Sequence, residues 1–266
     1  MNIEELNNLL EPQGLAVTLI KNQETSQEFE WNYCKNELND KNLVEAYFKE
    51  IENCEIHGSP IFTEFCCRNS LLFEQLLKQV NDKVVLEIGS SWAPQIPLLN
   101  CRLKICIEPM ANRIEAHVNE LYSKEIFSKM LTYSVYGDNY IPELKGIVDG
   151  LIYIRNCIDH SPNWVFILSN IATYAKEGCV LMIWNDIHRN AKLIDSGHYN
   201  LTPNKEDFIR LIENFGFSID RKFDFHDRGI NNIGIVATKK STSSCGLTME
   251  YTISEKNGRE ISLKSA

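Results

Sequence analysis

Residues Val84-Val85-Leu86-Glu87-Ile88-Gly89-Ser90-Ser91-Trp92-Ala93, followed by Lys104-Ile105-Cys106-Ile107-Glu108-Pro109, decide the fold of this 266-residue chain. Each begins as a short apolar run, and an acid stands at or near its end. Runs this short and this apolar read as strands covered on both faces. Gly89 allows close backbone approach after the first run. The acid after the second run, Glu108, stands nineteen residues beyond that glycine. Together they describe the carboxyl edge of a parallel sheet that holds a nucleoside: the turn offers backbone N–H groups and the acid accepts from ribose hydroxyls.

The same alternation continues outward from this pair. The predicted strands are 84–88, 104–107, 130–135, 150–154, 179–184, 217–225 and 233–238. Between them, Trp164, Leu168, Ile171 and Ala175 repeat at helical spacing, and Phe208, Leu211, Ile212 and Phe215 do so ahead of Gly216, a helix stop. Strands alternating with helices predict an α/β fold with a doubly wound, mostly parallel seven-stranded sheet. The last two strands are separated only by a polar turn, which asks for an antiparallel hairpin.

Residues 1–80 carry helical periodicity and are expected to form an N-terminal helical extension ahead of a core over 81–240. Leu43, Tyr47, Phe48 and Ile51 form one stripe. Phe65, Leu72, Phe73, Leu76 and Leu77 form another, beyond the break at Gly58-Ser59-Pro60. The aromatics Trp31, Tyr33, Phe48 and Phe62 read as helix packing ahead of substrate contact. The tail, 241–266, starts Ser/Thr-rich and then reads Leu247-Thr248-Met249-Glu250-Tyr251-Thr252-Ile253, either a loose extension or an extra edge strand.

Composition narrows the function classes. A net charge of −9 argues against non-specific nucleic-acid binding, which depends on displacing counterions with cations. The nine cysteines are scattered, with one adjacent pair at Cys66-Cys67 and no C-x-x-C, so neither a zinc site nor a disulfide framework is expected. The odd count and an acidic start without an apolar signal segment point to reduced thiols in a cytoplasm. No apolar run approaches the roughly 20 residues of a membrane span.

Glu87 reads either as an acceptor for a cofactor ammonium or as a partner for a backbone N–H, and the strand before it is expected to turn into a helix. A dinucleotide would ask for G-x-G-x-x-G, which Ser91, Trp92 and Pro94 fit poorly, so a ribose without a pyrophosphate suits the loop better. An NAD-type oxidoreductase stays as the alternative. A third segment, Tyr153-Ile154-Arg155-Asn156-Cys157-Ile158-Asp159-His160, delivers Asn156, Asp159 and His160 to the same edge. A carboxylate beside an imidazole suits acid/base work near neutral pH, or else caps and braces the loop. His188 and His198, beyond the fifth strand, either face an acceptor or brace their loop. Three histidines with Asp159 and Asp186 offer metal ligands, but no tight spacing such as H-x-x-x-H supports a metal.

With these segments in place, the chain resembles the S-adenosylmethionine-dependent methyltransferases of the seven-stranded, Rossmann-like class. The resemblance is closest to a branch with Asn-x-x-Asp-His-x-x-Asn/Asp-Pro after the fourth strand, matched from Asn156 to Asn163 with Trp164 in place of the final proline, and it spans roughly residues 80–240. The resemblance implies that Glu87, Gly89, Ser90 and Ser91 cradle the methionine part of the cofactor and that Glu108 binds its ribose. Pro109 and Met110 would flank adenine, Asp138 or Asn139 would meet its amino group, and Asn156 would lie beside the sulfonium. The family's later loop glycines are Ser91 and Ala93 here, and its Lys-Pro-Gly-Gly is reduced to Ala175-Lys176-Glu177-Gly178. What the resemblance implies about activity is methyl transfer from S-adenosyl-L-methionine to a small-molecule hydroxyl, a sugar or surface-polysaccharide precursor first, leaving S-adenosyl-L-homocysteine. His160 or His198 would serve as base with Asp159 orienting, and His188 would face the acceptor. A non-catalytic, methyltransferase-like binding subunit is the other alternative.

Overall fold

The computed structural model describes residues 23–53, 73–161, 164–187, 205–227, 230–241, 247–254 and 258–265. Helices α1 (Gln23–Leu38), α2 (Lys41–Asn53) and α3 (Phe73–Val80) precede the first strand. Then come β1 (Val84–Ile88), β2 (Leu103–Ile107), α4 (Ala111–Tyr122), β3 (Leu131–Tyr133), β4 (Leu151–Arg155), α5 (Trp164–Tyr174), β5 (Val180–Ile187) and α6 (Lys205–Asn214). Strands β6 (Phe217–Asp227), β7 (Ile230–Lys239), β8 (Leu247–Ser254) and β9 (Gly258–Ser265) complete the order.

Seven strands form one sheet in the order β3-β2-β1-β4-β5-β7-β6. All its pairings are parallel except those of β7, which runs antiparallel to both β5 and β6. The chain order reverses between β1 and β4, and a crevice opens outside the strand ends at such a switch point. Ile88 lies level with both Ile107 and Ile154, so β1, β2 and β4 end on one line.

Both faces are covered, as the unbroken apolar runs require. Leu86, Ile88, Ile105, Ile107, Ile152 and Ile154 share a core with Ile167, Leu168 and Ile171 of α5 and Phe208 and Ile212 of α6. On the other face, Val85, Tyr153 and Met182 join Leu76 and Val80 of α3, while Cys106 meets Trp31 of α1, Val44 of α2 and Val118 of α4. Each side chain of this size contributes about 1.5–3 kcal/mol when fully buried. Trp31 and Phe48 are buried in this packing, and Tyr33 is exposed.

The expectation of a helix directly after β1 is corrected. A single 3-10 turn, Ile96–Leu98, connects β1 to β2, with a proline in its first turn. Pro94 and Pro97 lack the N–H donors that an α-helix needs there, and the connection is too short to accommodate one beside the turn. Strand lengths shift as well: β3 is three residues, while β5 and β7 stay paired out to Ile187 and Asn231, beyond their apolar runs. Antiparallel backbone bonding, rather than side-chain burial, sets those ends. The tail strand β8 pairs with β9 in a separate two-stranded sheet rather than with the edge of the large one. Gly216 ends the α6 segment at φ +84°, as its position suggested. The stretch 54–72, with Gly58-Ser59-Pro60, Phe62, Phe65 and Leu72, and the stretch 188–204 lie outside the described residues. No helix among the described residues is long and apolar enough to cross a membrane.

Candidate functional site

At the switch point the ends of β1, β2 and β4 open into a cleft of about 770 Å³, counting the space at its mouth. Of the residues singled out from sequence, Gly89, Ser91, Glu108, Pro109, Met110, Asn156 and His160 line it.

Glu108 organises the cleft. One carboxylate oxygen accepts the Ser91 N–H at 2.8 Å and the other accepts the Met110 N–H at 3.0 Å. A single side chain thus ties the loop after β1 to the start of α4. Burial raises its carboxyl pKa; the two N–H donors pull it back, the Glu30 charge adds to the rise and His160 opposes it. Each oxygen keeps a second lone pair, so two ribose hydroxyls find acceptors without displacing either N–H. This pair of acceptors fits the diol of a ribose.

Glu87 does something else. Its oxygens accept the Gln95 N–H at 3.1 and 2.9 Å and the Ile96 N–H at 3.0 Å, and it does not line the cleft. Of the two roles open to it, backbone support is the one the structure has. Burial pushes its carboxyl up to about 8 against those N–H donors. Residues 91–96 are thus held by Glu87 at one end and Glu108 at the other. Trp92 Nε1 adds a bond to Glu37 of α1 at 2.7 Å, and the Tyr47 hydroxyl of α2 donates to the Pro94 carbonyl at 2.9 Å. Ser90 bonds inward as well, its hydroxyl 3.3 Å from Cys106 Sγ.

Gly89 adopts φ +69°, and a Cβ there would lie 2.3 Å from Cys157 Cβ and 2.4 Å from its Sγ. The close approach that demands glycine is therefore by the loop after β4. Cys157 Sγ donates to the Ile88 carbonyl at 3.1 Å, which seats that loop on β1. Asn156, at φ +46°, donates its N–H to the Trp184 carbonyl and accepts from the Asp186 N–H at 3.3 Å through its side chain.

Asp159 is fully buried and accepts from Asn185 Nδ2 at 2.8 Å, while Asn185 Oδ1 accepts the Ile158 N–H at 3.1 Å. It braces the loop that carries His160. His160 faces a carboxylate at each nitrogen, with Glu30 Oε1 2.8 Å from Nδ1 and Asp159 Oδ1 3.8 Å from Nε2. Burial alone would lower its pKa. The Glu30 hydrogen bond and the charges of Asp159, Glu30 and Asp186 outweigh that and raise it to about 9. That direction favours the protonated ring, so His160 acts as a base only where its proton has been lost.

Several lining residues were not singled out from sequence. Gln27 and Glu30 come from α1, and Tyr136, Gly137 and Cys157 from loops. Helix α1 is held in place by the Arg113–Glu28 ion pair at 2.6 Å and by the Arg113 guanidinium 4.2 Å above the Trp31 ring. Nothing in the spacing of α1 marks Glu30 as a cleft residue. Asp138 is buried and is not among the cleft's lining residues, and Asn139 donates its N–H to the Tyr136 carbonyl at 2.9 Å. His188 and His198 lie outside the described residues. Among the described residues no three His, Cys, Asp or Glu side chains are grouped to hold a metal ion. Among the described residues no lysine or arginine lines the cleft.

No protein-family model matches the chain, and neither does any curated protein. Solved structures do match. A putative sarcosine dimethylglycine methyltransferase from Galdieria sulphuraria superposes with TM-score 0.51 at 12% identity, over 68% of this chain and 85% of that one. A putative S-adenosylmethionine-dependent methyltransferase from Listeria monocytogenes gives 0.47 at 10% identity, over 64% and 98%. A 16S rRNA (adenine(1408)-N(1))-methyltransferase with cosubstrate SAM, from Catenulisporales acidiphilia, gives 0.44 at 14% identity, over 63% and 89%. At such identities the likeness is one of fold. The chain has the seven-stranded, mostly parallel fold of the class I methyltransferases.

Proposed function

We propose that this chain is an S-adenosyl-L-methionine-dependent methyltransferase acting on a small molecule. The observation that carries the reading is the Glu108 bracket in a cleft that, among the described residues, is lined by carboxylates and by no lysine or arginine. A dinucleotide brings a pyrophosphate, which is met by a helix N-terminus or by cations. Here a 3-10 turn follows β1, and Glu30 and Glu108 face the ligand space. Those charges suit a cationic sulfonium instead.

The cofactor supplies an electrophilic methyl group; the chain supplies placement. Glu108 takes the ribose hydroxyls, Pro109, Met110 and Tyr136 enclose adenine, and Gly89, Ser91 and Asn156 border the methionine end. Glu87 and Ser90 act behind this shell by fixing the loop. Tyr136 and Gly137 border the adenine end, beside Asp138 and Asn139, whose role toward its amino group the resemblance implies. Aligning an acceptor in line with the methyl group and excluding water account for most of the rate.

The acceptor in this reading is a hydroxyl, with a sugar or a surface-polysaccharide precursor as the first candidate, and the setting is the cytoplasm. The acceptor choice rests on the motif resemblance around Asn156 and His160, and the setting on the scattered, odd-numbered cysteines and the acidic start. His160, oriented by Asp159, takes the hydroxyl proton once its ring is neutral, and His198 and His188 are the other candidates for the acceptor side. A metal and a nucleic acid play no part in this scheme.

Calorimetry with S-adenosyl-L-homocysteine and with NAD tests the reading. Micromolar binding of the first, abolished in Glu108→Ala, and no binding of the second are expected. Absence of S-adenosyl-L-homocysteine binding by the intact chain ends it.

A further inference from the structure

Glu30 is a cleft carboxylate that no strand-end motif accounts for. It comes from α1, ahead of the sheet in sequence, and lines the cleft with Gln27, one helical turn earlier. Its side chain keeps 28% of its exposure. One oxygen, Oε1, meets His160 Nδ1 at 2.8 Å. Among the described residues, the other oxygen has no hydrogen-bond or ion-pair partner.

The cofactor of the reading above, on which this inference rests, carries a primary ammonium at its methionine end. An ammonium is a three-donor group without acceptor capacity, and a carboxylate is its best partner. The resemblance assigns that corner to the acid of β1. In this chain Glu87 is withdrawn from it, with both oxygens holding the Gln95 and Ile96 N–H groups behind the cleft. Glu108 is committed to the two loops and the ribose. Asp159 is fully buried below the loop. Glu30 is the remaining acid that lines the cleft, with an oxygen to offer.

We infer that Glu30 receives the α-ammonium of the cofactor's amino-acid moiety, so that helix α1 completes the cofactor site. His160 then orients the Glu30 carboxylate by holding Oε1, which leaves Oε2 toward the ligand. The α-ammonium and the sulfonium belong to one moiety, so an acid on α1 also adds to the negative field at the methyl donor.

The test is Glu30→Gln, read by calorimetry with two probes. S-Adenosyl-L-homocysteine carries the ammonium. 5′-Methylthioadenosine shares the nucleoside and thioether but lacks the amino-acid moiety. Glutamine keeps the side chain's shape and an oxygen beside His160 Nδ1 while removing the charge, so comparison of the two probes separates recognition of the ammonium from packing of α1. The expected result is at least a tenfold loss of S-adenosyl-L-homocysteine affinity with 5′-methylthioadenosine affinity unchanged. Unchanged affinity for both probes overturns the assignment. So does a parallel loss for both, which reports a packing role for Glu30. If the wild-type chain binds neither probe, the cofactor reading itself falls; if it binds both and only the Glu30→Gln result fails, that reading stands and the ammonium site lies elsewhere.

Discussion

Replacing Gly89 with alanine places a methyl group where the fold leaves no volume. Two independent penalties add. A non-glycine residue held in the left-handed region, at φ +69° here, costs roughly 1–2 kcal/mol. The new Cβ would stand 2.3 Å from Cys157 Cβ, and overpacking of this kind costs about 1–3 kcal/mol. The sum, about 2–5 kcal/mol, is a large part of the roughly 5–15 kcal/mol by which domains are stable. Urea unfolding of wild type, Gly89→Ala, Cys157→Gly and the double variant separates the two. Cys157→Gly removes the atoms that clash, so the double variant should recover the packing part and keep the backbone part. A Gly89→Ala loss under about 0.5 kcal/mol, or no recovery in the double variant, would refute the claim that the β4 loop dictates this glycine.

Three further outcomes are expected. Glu108→Gln leaves a side-chain N–H₂ facing the Ser91 or Met110 N–H; hydrogen bonds to charged groups contribute about 1.5–3 kcal/mol, so calorimetry should show S-adenosyl-L-homocysteine affinity lowered at least tenfold, and an unchanged Kd would remove Glu108 from the ribose site. Glu87, with its folded pKa raised from an ordinary 4.5 to about 8, binds a proton more readily folded than unfolded, so wild-type stability relative to Glu87→Gln should fall as pH rises from 4.5 to 8; parallel stability curves across that range would contradict this. If His160 takes the acceptor's proton, its reactive neutral form accumulates only above its raised pKa, so the methyl-transfer rate should climb until about pH 9, with the midpoint moving down in Glu30→Gln; a wild-type profile already flat at pH 7 would exclude His160 as the base.

The strand ends that make the cleft were legible because short, nearly continuous apolar runs, broken by Gly89, Glu108 and Asn156, read as buried parallel strands. Glu108 was legible by position alone, since an acid at the end of β2 faces the switch point whatever its neighbours are. What its oxygens hold was not, because the Ser91 N–H reaches it only through that residue's φ of +52°. Gly89 announced a constrained backbone, but the group that constrains it, Cys157, lies across the sheet. Pro94 and Pro97 carry the signal for the short connection after β1, while the strand-to-loop turn itself reads the same with or without a helix behind it. Glu30 was illegible for a different reason. It sits on a helix whose sequence says only that it packs, and its meaning depends on docking beside His160. With Glu30 unseen, the protonation state of His160 was unseen too.

The bonds that shape the cleft also differ in how far along the chain they reach. Those that form its floor are local, joining Glu87 to Gln95 and Ile96 over 8 and 9 residues and Glu108 to Ser91 over 17. Those that seat α1 close loops of 55, 84 and 85 residues, from Trp92 to Glu37, Tyr122 to Leu38 and Arg113 to Glu28. Closing entropy grows with loop length, and long-span contacts are made later in folding. The floor is therefore expected to assemble before its α1 wall, and that wall to be among the first parts to detach in native-state fluctuations. Hydrogen exchange at the α1 amides, set against that at β1 and β2, reads this order directly.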